Sequence, residues 1–448
     1  MGGKRVQVVT MGCSKNRVDS EHLLVQLSAA GFEVIPEGDP LIGGRTDILI
    51  INTCGFILDA KEESIEAILE GVEAKEEGSV EKLYVMGCLS QRYGNDLREE
   101  IPQVDKFFGA FSIDPILSEL GVKKNPLLET RRFLTTPSHY AYLKVSEGCD
   151  RKCSYCAIPG IRGPHTSVPM EKLIDEANAL AESGVKELIL IAQDTTYYGL
   201  DLYRGRTLSK LVTKLLDIKG IEWMRILYSY PASFPEDLLE IMAASEKMCK
   251  YMDIPLQHSA DAVLSAMRRS IDGKQTRALV EKMRKAVPGI VLRTTMMVGH
   301  PGEGEAEFDD LLSFVNDYKI ERLGAFAYSE EEGTWGANNL ADAVPAELKQ
   351  ERLEELMELQ ANISLAYNES RIGTTERVLI DSYAADRGEL VARSSKEAPD
   401  VDGEVLISAA GLDAPEKLVG SFADVKIIGA DEYDLNAMLI GNLSSIYC

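Results

Sequence analysis

Three cysteines near the middle of the chain, here called the loop trio, could hold one metal centre. They follow a C-x3-C-x2-C spacing directly after the strand-like run 140–145, and they are Cys149, Cys153 and Cys156. A structural zinc usually takes four protein ligands, whereas a cubane iron–sulfur cluster held by three thiolates keeps one iron open for a substrate or cofactor. Three thiols are therefore enough for a cluster with one open, reactive iron. The alternative is a structural zinc site with its fourth ligand elsewhere in the chain, for example His165.

Three further cysteines, the strand-end trio, each follow a predicted strand in the first 125 residues, and each has a glycine beside it. They are Cys13, Cys54 and Cys88. In an open α/β sheet the carboxyl ends of parallel strands converge on a common crevice. Thiols that lie far apart in sequence are therefore expected to meet in space, and the glycines permit tight turns beside a bulky cluster. The pattern predicts a second three-cysteine site.

The remaining two of the eight cysteines have no predicted role in metal binding. Cys249 falls in the helix-like run 235–250 and is expected to be a small buried side chain, and Cys448 is the last residue. A large chain without an export signal favours metal-binding or catalytic thiols over disulfides. No apolar run approaches the roughly 20 residues of a membrane helix. We therefore expect a soluble cytoplasmic protein with no membrane partner.

Several domains must position these cysteines, because 448 residues exceed the size of one ordinary core. Alternating strand and helix patterns at the start predict an α/β domain with a small parallel sheet. After a linker, the alternation resumes as six β/α units, which predict an incomplete (β/α)6 barrel whose working face is at the carboxyl ends of its strands. A connecting helix and a small antiparallel β-barrel follow. The predicted ranges, in that order, are 1–125, 126–138, 139–343, 344–373 and 374–448.

Polar and glycine-rich segments follow the predicted strands of the partial barrel, on the same rim as the loop trio. Such segments can cradle the amino acid and ribose of a nucleoside cofactor, and an arginine there could meet a carboxylate. The candidates are Gln193, Asp194, Gln257, Arg293 and Gly299. His258 and His300 occupy the same rim, and we expect them to be hydrogen-bonded loop residues rather than metal ligands.

The charge of the chain bears on its partners. The net charge is −24, which opposes association with phosphates unless a local basic patch offsets it. The segment 374–448 is itself acidic, with six Lys and Arg against fourteen Asp and Glu. A module that holds tRNA should expose basic residues and stacking aromatics. The charge therefore predicts a basic protein partner and argues against direct tRNA binding.

The loop-trio spacing resembles the cluster-binding signature of the radical S-adenosylmethionine (SAM) enzymes, and Tyr155 fits that signature as the aromatic residue before the third cysteine. Nearly the whole chain is similar to a methylthiotransferase of that superfamily, with an N-terminal three-cysteine domain, a radical SAM domain and a TRAM barrel. The segments 12–21, 52–57 and 193–196 resemble the RimO-type branch, which acts on a ribosomal protein. One departure is His300, where the family pattern has an aromatic residue, and the TRAM segment matches loosely.

The resemblance implies transfer of a methylthio group to the β-carbon of an aspartate in ribosomal small-subunit protein twelve, which is strongly basic. It implies two 4Fe-4S clusters and SAM as cofactors. The loop trio would hold the cluster that binds SAM, with Tyr155 near the adenine, and the strand-end trio would hold the cluster that carries the sulfur. An electron donor and a sulfur donor are implied as further partners.

Two alternatives stay open at this point. A tRNA adenosine methylthiotransferase would share every cluster residue and differ in the substrate that docks. A non-enzymatic scaffold would use the six cysteines to bind metal and to bridge ribosomal components.

Overall fold

The structure is a computed structural model that describes residues 3–36, 45–110 and 112–440, so Cys448 lies outside the described residues. The N-terminal domain has a parallel sheet of five strands in the order β2-β1-β3-β4-β5, covered by helices on both faces. Its elements are β1 Arg5–Thr10, α1 Ser14–Ala29, β2 Glu33–Ile35, β3 Thr46–Thr53, α2 Leu58–Glu76, β4 Val80–Gly87, α3 Cys88–Glu100, β5 Lys106–Phe107 and α4 Asp114–Glu119.

The central domain is the predicted partial barrel, with six parallel strands in the order β6-β9-β10-β11-β12-β13. Strands β7 and β8, on either side of the loop trio in sequence, form a small antiparallel sheet. Apart from β13, its strands are largely buried, because helices cover the outside and side chains fill the inside. The elements are β6 Tyr140–Lys144, β7 Ser146–Glu147, α5 Ile158–Arg162, β8 Thr166–Ser167, α6 Met170–Glu182, β9 Glu187–Ile191, α7 Leu200–Tyr203, α8 Leu208–Leu216, β10 Trp223–Ile226, α9 Asp237–Ala244, β11 Met248–Asp253, α10 Asp261–Ala266, α11 Gly273–Ala286, β12 Val291–Val298, α12 Glu305–Tyr318, β13 Arg322–Ala327 and α13 Trp335–Asn339.

A long helix leads to a closed C-terminal barrel with the strand order β14-β15-β16-β18-β17. Its elements are α14 Ala346–Glu369, β14 Thr375–Ala384, β15 Glu389–Ser394, β16 Val405–Ser408, β17 Phe422–Ala430 and β18 Leu435–Leu439. The prediction of an antiparallel barrel is wrong for one pair, because β16 and β18 run parallel where the barrel closes. No helix in the described ranges is long and apolar enough to cross a bilayer.

The C-terminal barrel closes the amino end of the partial barrel. Trp223, the first residue of β10, packs against Phe422 of β17 with ring centroids 4.8 Å apart. Arg393 of β15 donates a hydrogen bond of 2.9 Å to Glu187, the first residue of β9, and also pairs with Asp381. The carboxyl ends of the strands are therefore left for the N-terminal domain.

Cys249 lies on a strand rather than on the predicted helix. Helix α9 ends at Ala244, and Cys249 is the second residue of β11, where it is almost fully buried. The apolar run is too short to show whether it belongs to a helix or to a buried strand. The expectation of a small buried side chain at this position is confirmed.

Candidate metal centres facing one cavity

All six cysteines of the two trios line one cavity of about 350 Å³ between the N-terminal domain and the carboxyl-end face of the partial barrel. A larger cavity of about 770 Å³ lies between the partial barrel and the C-terminal barrel, and no cysteine lines it. The chemistry-bearing side chains therefore gather in the smaller of these two cavities.

The parallel register of three neighbouring strands brings the strand-end trio together. Residue pairs Thr10–Asn52 and Thr53–Gly87 lie side by side, so β1, β3 and β4 end at one edge of the sheet. The glycines beside the cysteines allow the loops to approach closely. A Cβ atom on Gly12 would lie 2.6 Å from the Cβ of Cys54, and one on Gly87 would lie 2.5 Å from the Thr53 carbonyl oxygen.

The strand-end trio is also held from the partial barrel. Arg162 of α5 donates from Nε to the Sγ of Cys88 at 3.2 Å, and its Nη1 lies 2.9 Å from Asp19 and 3.1 Å from Glu147. Burial raises the pKa of Cys88 to about 11, although Arg162 opposes the shift. A thiol with such a pKa must release a proton when it binds a metal.

The loop trio lies between the β7 strand and helix α5. The backbone N–H of Arg151 donates to the Sγ of Cys149 at 3.4 Å, and Nη1 of Arg269 lies 3.7 Å from the Sγ of Cys153. Burial raises the pKa of Cys149 to about 11 and raises that of Cys156 further. The nearby N–H and guanidinium donors are suited to thiolates or cluster sulfides, whose negative charge they offset.

The three thiols of each trio are the donor set that a cluster takes, rather than the ligand set of a single ion. In the ranges that the structure describes, no three His, Cys, Asp or Glu side chains converge on a single point as ligands of one ion do. A cubane cluster makes a different demand, because each of its three thiolates binds a separate iron. His165 does not line the cavity, and its Nε2 lies 3.0 Å from the Ser167 hydroxyl.

Four of the residues predicted to bind a cofactor line this cavity, namely Tyr155, Gln193, Asp194 and Gln257. The structure places Arg293 and Gly299 elsewhere. Arg293 is the third residue of β12, so it lies toward the amino end of that strand, where it pairs with Asp253 at 2.9 Å. Gly299 packs beneath helix α14, where an added Cβ would lie 2.3 Å from the Cγ of Lys349.

Arg269 is a cavity residue that the sequence analysis missed. It follows the end of α10, where Arg268 has a left-handed backbone with φ of 56°. The guanidinium of Arg269 donates to the carbonyl of Pro255 at 2.5 Å and to the hydroxyl of Tyr155 at 3.3 Å. A buried arginine after a short helix carries no sequence motif, so only the fold reveals it.

Three buried polar atoms of cavity-lining residues lack hydrogen-bond partners within the described chain. They are Oε1 of Gln193, Oε1 of Gln257 and Nε of Arg269. Buried polar groups in folded proteins are rarely unsatisfied, so a cluster of such atoms at one cavity indicates a polar ligand. Gln257 also has a left-handed backbone, with φ of 74°, a strain typical of functional sites. These atoms fit SAM, which carries amino, carboxylate and ribose groups.

The two rim histidines are hydrogen-bonded, as predicted. The Nε2 of His300 lies 3.2 Å from the Ser154 hydroxyl, inside the loop that carries the trio. Burial lowers the pKa of His300 to about 4, so the ring is neutral at physiological pH. The Nδ1 of His258 accepts from the backbone N–H of Ala260 at 3.0 Å.

Family models match three successive parts of the chain. They are the radical SAM superfamily at residues 143–315, an uncharacterized protein family, UPF0004, at residues 5–109, and the TRAM domain at residues 372–440. Among solved structures, the radical SAM methyltransferase TsrM from Kitasatospora setae is similar with a TM-score of 0.53 and 14% identity, covering 72% of this chain and 73% of that one. The cobalamin-dependent radical SAM enzyme OxsB has a TM-score of 0.51 and 13% identity, covering 80% and 56%. Fold and family model together define a radical SAM enzyme.

Relatives that span the whole chain narrow the class further. A protein of Bacteroides fragilis is 50% identical over 440 residues, which is 98% of this chain and 100% of the relative. One of Phocaeicola vulgatus is 51% identical over 435 residues, covering 97% and 99%. Both carry the name ribosomal protein uS12 methylthiotransferase RimO. The chain belongs to the RimO family of radical SAM methylthiotransferases, which implies SAM and iron–sulfur chemistry.

Proposed function

We propose that this protein transfers a methylthio group to the β-carbon of an aspartate in ribosomal protein uS12. The observation that carries the proposal is that two cysteine trios face one cavity. The relatives named as uS12 methylthiotransferases match over nearly the full length of the chain, so uS12 is the first candidate for the substrate of this protein.

Two 4Fe-4S clusters complete the proposed site. Cys149, Cys153 and Cys156 would hold the cluster that binds SAM, and the strand-end trio would hold the cluster that brings the sulfur. When bound, these groups supply a radical that removes hydrogen from an unactivated carbon and a sulfur atom that replaces it, which side-chain acids and bases cannot do. An electron donor and a sulfur donor are further partners in the proposal.

The side chains of the cavity orient SAM. Arg269 takes the role first given to Arg293, because its guanidinium lies beside Cys153 and can meet the SAM carboxylate. The amide oxygens of Gln193 and Gln257 are free to accept from the amino and ribose groups. Asp194 holds Arg151 through an ion pair of 2.8 Å, and that guanidinium lies 3.7 Å from the Tyr230 ring centroid. These contacts make the rim rigid before the ligand arrives.

The N-terminal domain forms one wall of the cavity and limits its contact with water. Beyond the cysteines the two domains are joined by Glu331, which accepts from Lys61 at 3.0 Å and from Arg92 at 2.9 Å. The wall of the cavity includes the apolar side chains of Phe56, Ile158 and Phe326. A site with apolar walls and limited access to water protects a reactive intermediate from side reactions.

The acidic surface fits a basic protein substrate better than tRNA. The chain has a net charge of −24, and its C-terminal barrel segment carries fourteen acidic against six basic residues. Opposite charges speed the encounter of a basic ribosomal protein with this surface, while a phosphate backbone is repelled. A ribosomal substrate also implies a cytoplasmic location.

The test is a direct comparison of the two substrates. Full-length protein is loaded anaerobically with iron and sulfide, then incubated with SAM, a reductant and either purified uS12 or unmodified tRNA. Mass spectrometry is expected to find a methylthio group on one aspartate of uS12 and no change in the tRNA. Modified tRNA with unmodified uS12 would contradict the proposal and favour the tRNA branch.

A further inference from the structure

Lys15 brings a positive charge into the cavity between the two cysteine trios. It is the second residue of α1, two positions after Cys13, and only 8% of the residue is exposed. Its ammonium lies 3.3 Å from the ring centroid of Tyr228, which follows β10 at the carboxyl-end rim of the partial barrel. The side chain therefore reaches from the N-terminal domain to the radical SAM domain across the cavity.

The other cationic side chains that line the cavity already have bonding partners in the protein. Arg151 pairs with Asp194 at 2.8 Å, and Arg162 pairs with Asp19 and Glu147. Arg269 donates to two oxygen atoms beside the loop trio. For Lys15, no carboxylate in the described ranges lies within ion-pairing distance. An aromatic ring holds an ammonium without cancelling its charge, so Lys15 keeps a positive charge beside Cys13 that can meet an anion in the cavity.

The ring that holds Lys15 is itself fixed in place. Tyr228 has a left-handed backbone with φ of 60°, which is unusual for a bulky residue. Its N–H donates to Asp253 at 2.8 Å, and its carbonyl accepts from the N–H of Thr195 at 3.1 Å. Asp253 is in turn paired with Arg293 at 2.9 Å. A strained backbone locked by several hydrogen bonds is a feature of preorganised sites.

We propose that the Lys15 ammonium binds the side-chain carboxylate of the substrate aspartate and so fixes its β-carbon between the two trios. The inference rests on the proposed function, since it names the group that the substrate presents. A carboxylate that enters this cavity loses its hydration and lies near six cysteine sulfurs, whose metal-bound form is negative. A buried carboxylate in such surroundings needs a cationic partner. Lys15 supplies that partner at the place where the two domains meet.

The experiment measures binding of two peptides to the cluster-loaded full-length protein. Both peptides copy the modified segment of uS12, and they differ only in having Asp or Asn at the target position. The wild type is expected to bind the Asp peptide about 10-fold to 100-fold more tightly, the range for a charge-assisted contact. Lys15→Met should bind both peptides equally, and Lys15→Arg should keep part of the preference. Lys210→Met, at an exposed position on α8, is the matched control and should keep all of it.

Each possible result supports or overturns either the role of Lys15 or the proposed function. Lys15→Met that retains the preference for Asp overturns the role of Lys15 while leaving the proposed function intact. Equal binding of both peptides by the wild type would also overturn the role of Lys15. That comparison needs no variant, so the test can be made even if Lys15→Met folds poorly. If the wild type modifies no aspartate of uS12 and binds neither peptide, the proposed function fails and this inference fails with it. Iron content and the thermal unfolding midpoint show whether each variant is folded.

Discussion

At the residue scale, the six cavity cysteines must hold negative charge in a buried place. Burial raises the pKa of Cys88 and Cys149 to about 11, so both are thiols at neutral pH when no metal is bound. Arg162 and Arg269 lie near the sulfurs of Cys88 and Cys153. These guanidinium groups stabilise the thiolate form that a metal requires. The same two arginines tie the cysteines to the rest of the cavity.

The two trios are expected to have separate tasks. Cys149→Ala removes a ligand of the cluster that would bind SAM, so both SAM cleavage and methylthio transfer should be abolished. Cys54→Ala should keep SAM cleavage and lose sulfur insertion, because its trio lies on the other side of the cavity. The measurements are 5′-deoxyadenosine yield and modified uS12 for each variant. Cys249→Ala, buried on β11 away from the cavity, is the control and should keep both activities. Equal loss of cleavage in the two trio variants would refute the division.

Arg269 is expected to set the affinity for SAM. Arg269→Met removes the guanidinium beside Cys153, so half-saturation of 5′-deoxyadenosine formation should need roughly 10-fold to 100-fold more SAM. Arg268→Met is the matched control, because that neighbouring side chain is exposed and stacks on Trp335 outside the cavity. An unchanged SAM requirement in Arg269→Met would show that another group binds the carboxylate.

The convergence of the cysteines on one cavity could be predicted from the sequence, whereas the positions of the arginines could not. Cys13, Cys54 and Cys88 follow parallel strands, and the rule that such strand ends converge needs no side-chain detail. Arg293 was assigned to the rim because it lies on a strand of the barrel, but its position toward the amino end of β12 turns it to Asp253. Arg269 points into the cavity because Arg268 has a left-handed backbone, and the residue types at these positions do not predict that conformation.

At the element scale, the site depends on how closely β1, β3 and β4 approach at their carboxyl ends. The backbone of Gly87 has φ of 100°, and it lies against the Thr53 backbone and the Asn52 side chain. Asn52 donates hydrogen bonds of 2.9 Å to the carbonyl of Asn16 and to the hydroxyl of Ser20. These contacts connect the ends of β3 and β4 to helix α1, which begins directly after Cys13, and thereby help to position the three thiols.

A methyl group at Gly87 should separate these strand ends. Gly87→Ala introduces a Cβ 2.5 Å from the Thr53 carbonyl oxygen, so it should lower the free energy of unfolding by about 1–3 kcal/mol and lower the iron content. Gly78→Ala is the matched control, since its φ is +81° but nothing lies within 4 Å of the new Cβ. Thermal unfolding and iron analysis of the two variants are the measurements. Full iron content in Gly87→Ala would contradict the requirement for close approach.

The strands of the partial barrel could be predicted from the sequence, whereas the strand pairing that closes the C-terminal barrel could not. The six strands of the partial barrel follow from alternating strand and helix patterns, and the structure confirms them. The parallel pairing of β16 with β18 arises only when the barrel closes, so it has no local signal. Only the first residues of β11, including Cys249, were predicted as helix, because the short apolar run there fits both periods.

At the scale of the whole molecule, the partial barrel is closed from two sides by different domains. The N-terminal domain covers the carboxyl ends and contributes three cysteines and Lys15 to the cavity. The C-terminal barrel covers the amino ends, where Tyr251 donates to Asp402 at 2.6 Å and Arg393 donates to Glu187 at 2.9 Å. The chemistry and the acidic C-terminal barrel therefore lie at opposite ends of the same strands.

The contact between the two barrels is expected to depend on Arg393. This buried side chain joins Glu187 and Asp381, so Arg393→Met leaves two carboxylates with one partner fewer and should destabilise the protein by about 3–5 kcal/mol. Arg387→Met is the control, because Arg387 is half exposed and its ion pair with Glu389 should contribute less than about 1 kcal/mol. Thermal unfolding of both variants gives the comparison. Equal midpoints would argue that apolar packing alone holds the barrels together.

The most direct test of the account is anaerobic metal analysis of the full-length protein after loading with iron and sulfide. Two cubane clusters predict about eight irons for each chain, about four after alanine replaces the strand-end trio, and about four after it replaces the loop trio. Both single-trio variants should keep a visible iron–sulfur chromophore. About two zinc ions for each chain, with no chromophore, would contradict the account and indicate a metal-binding scaffold.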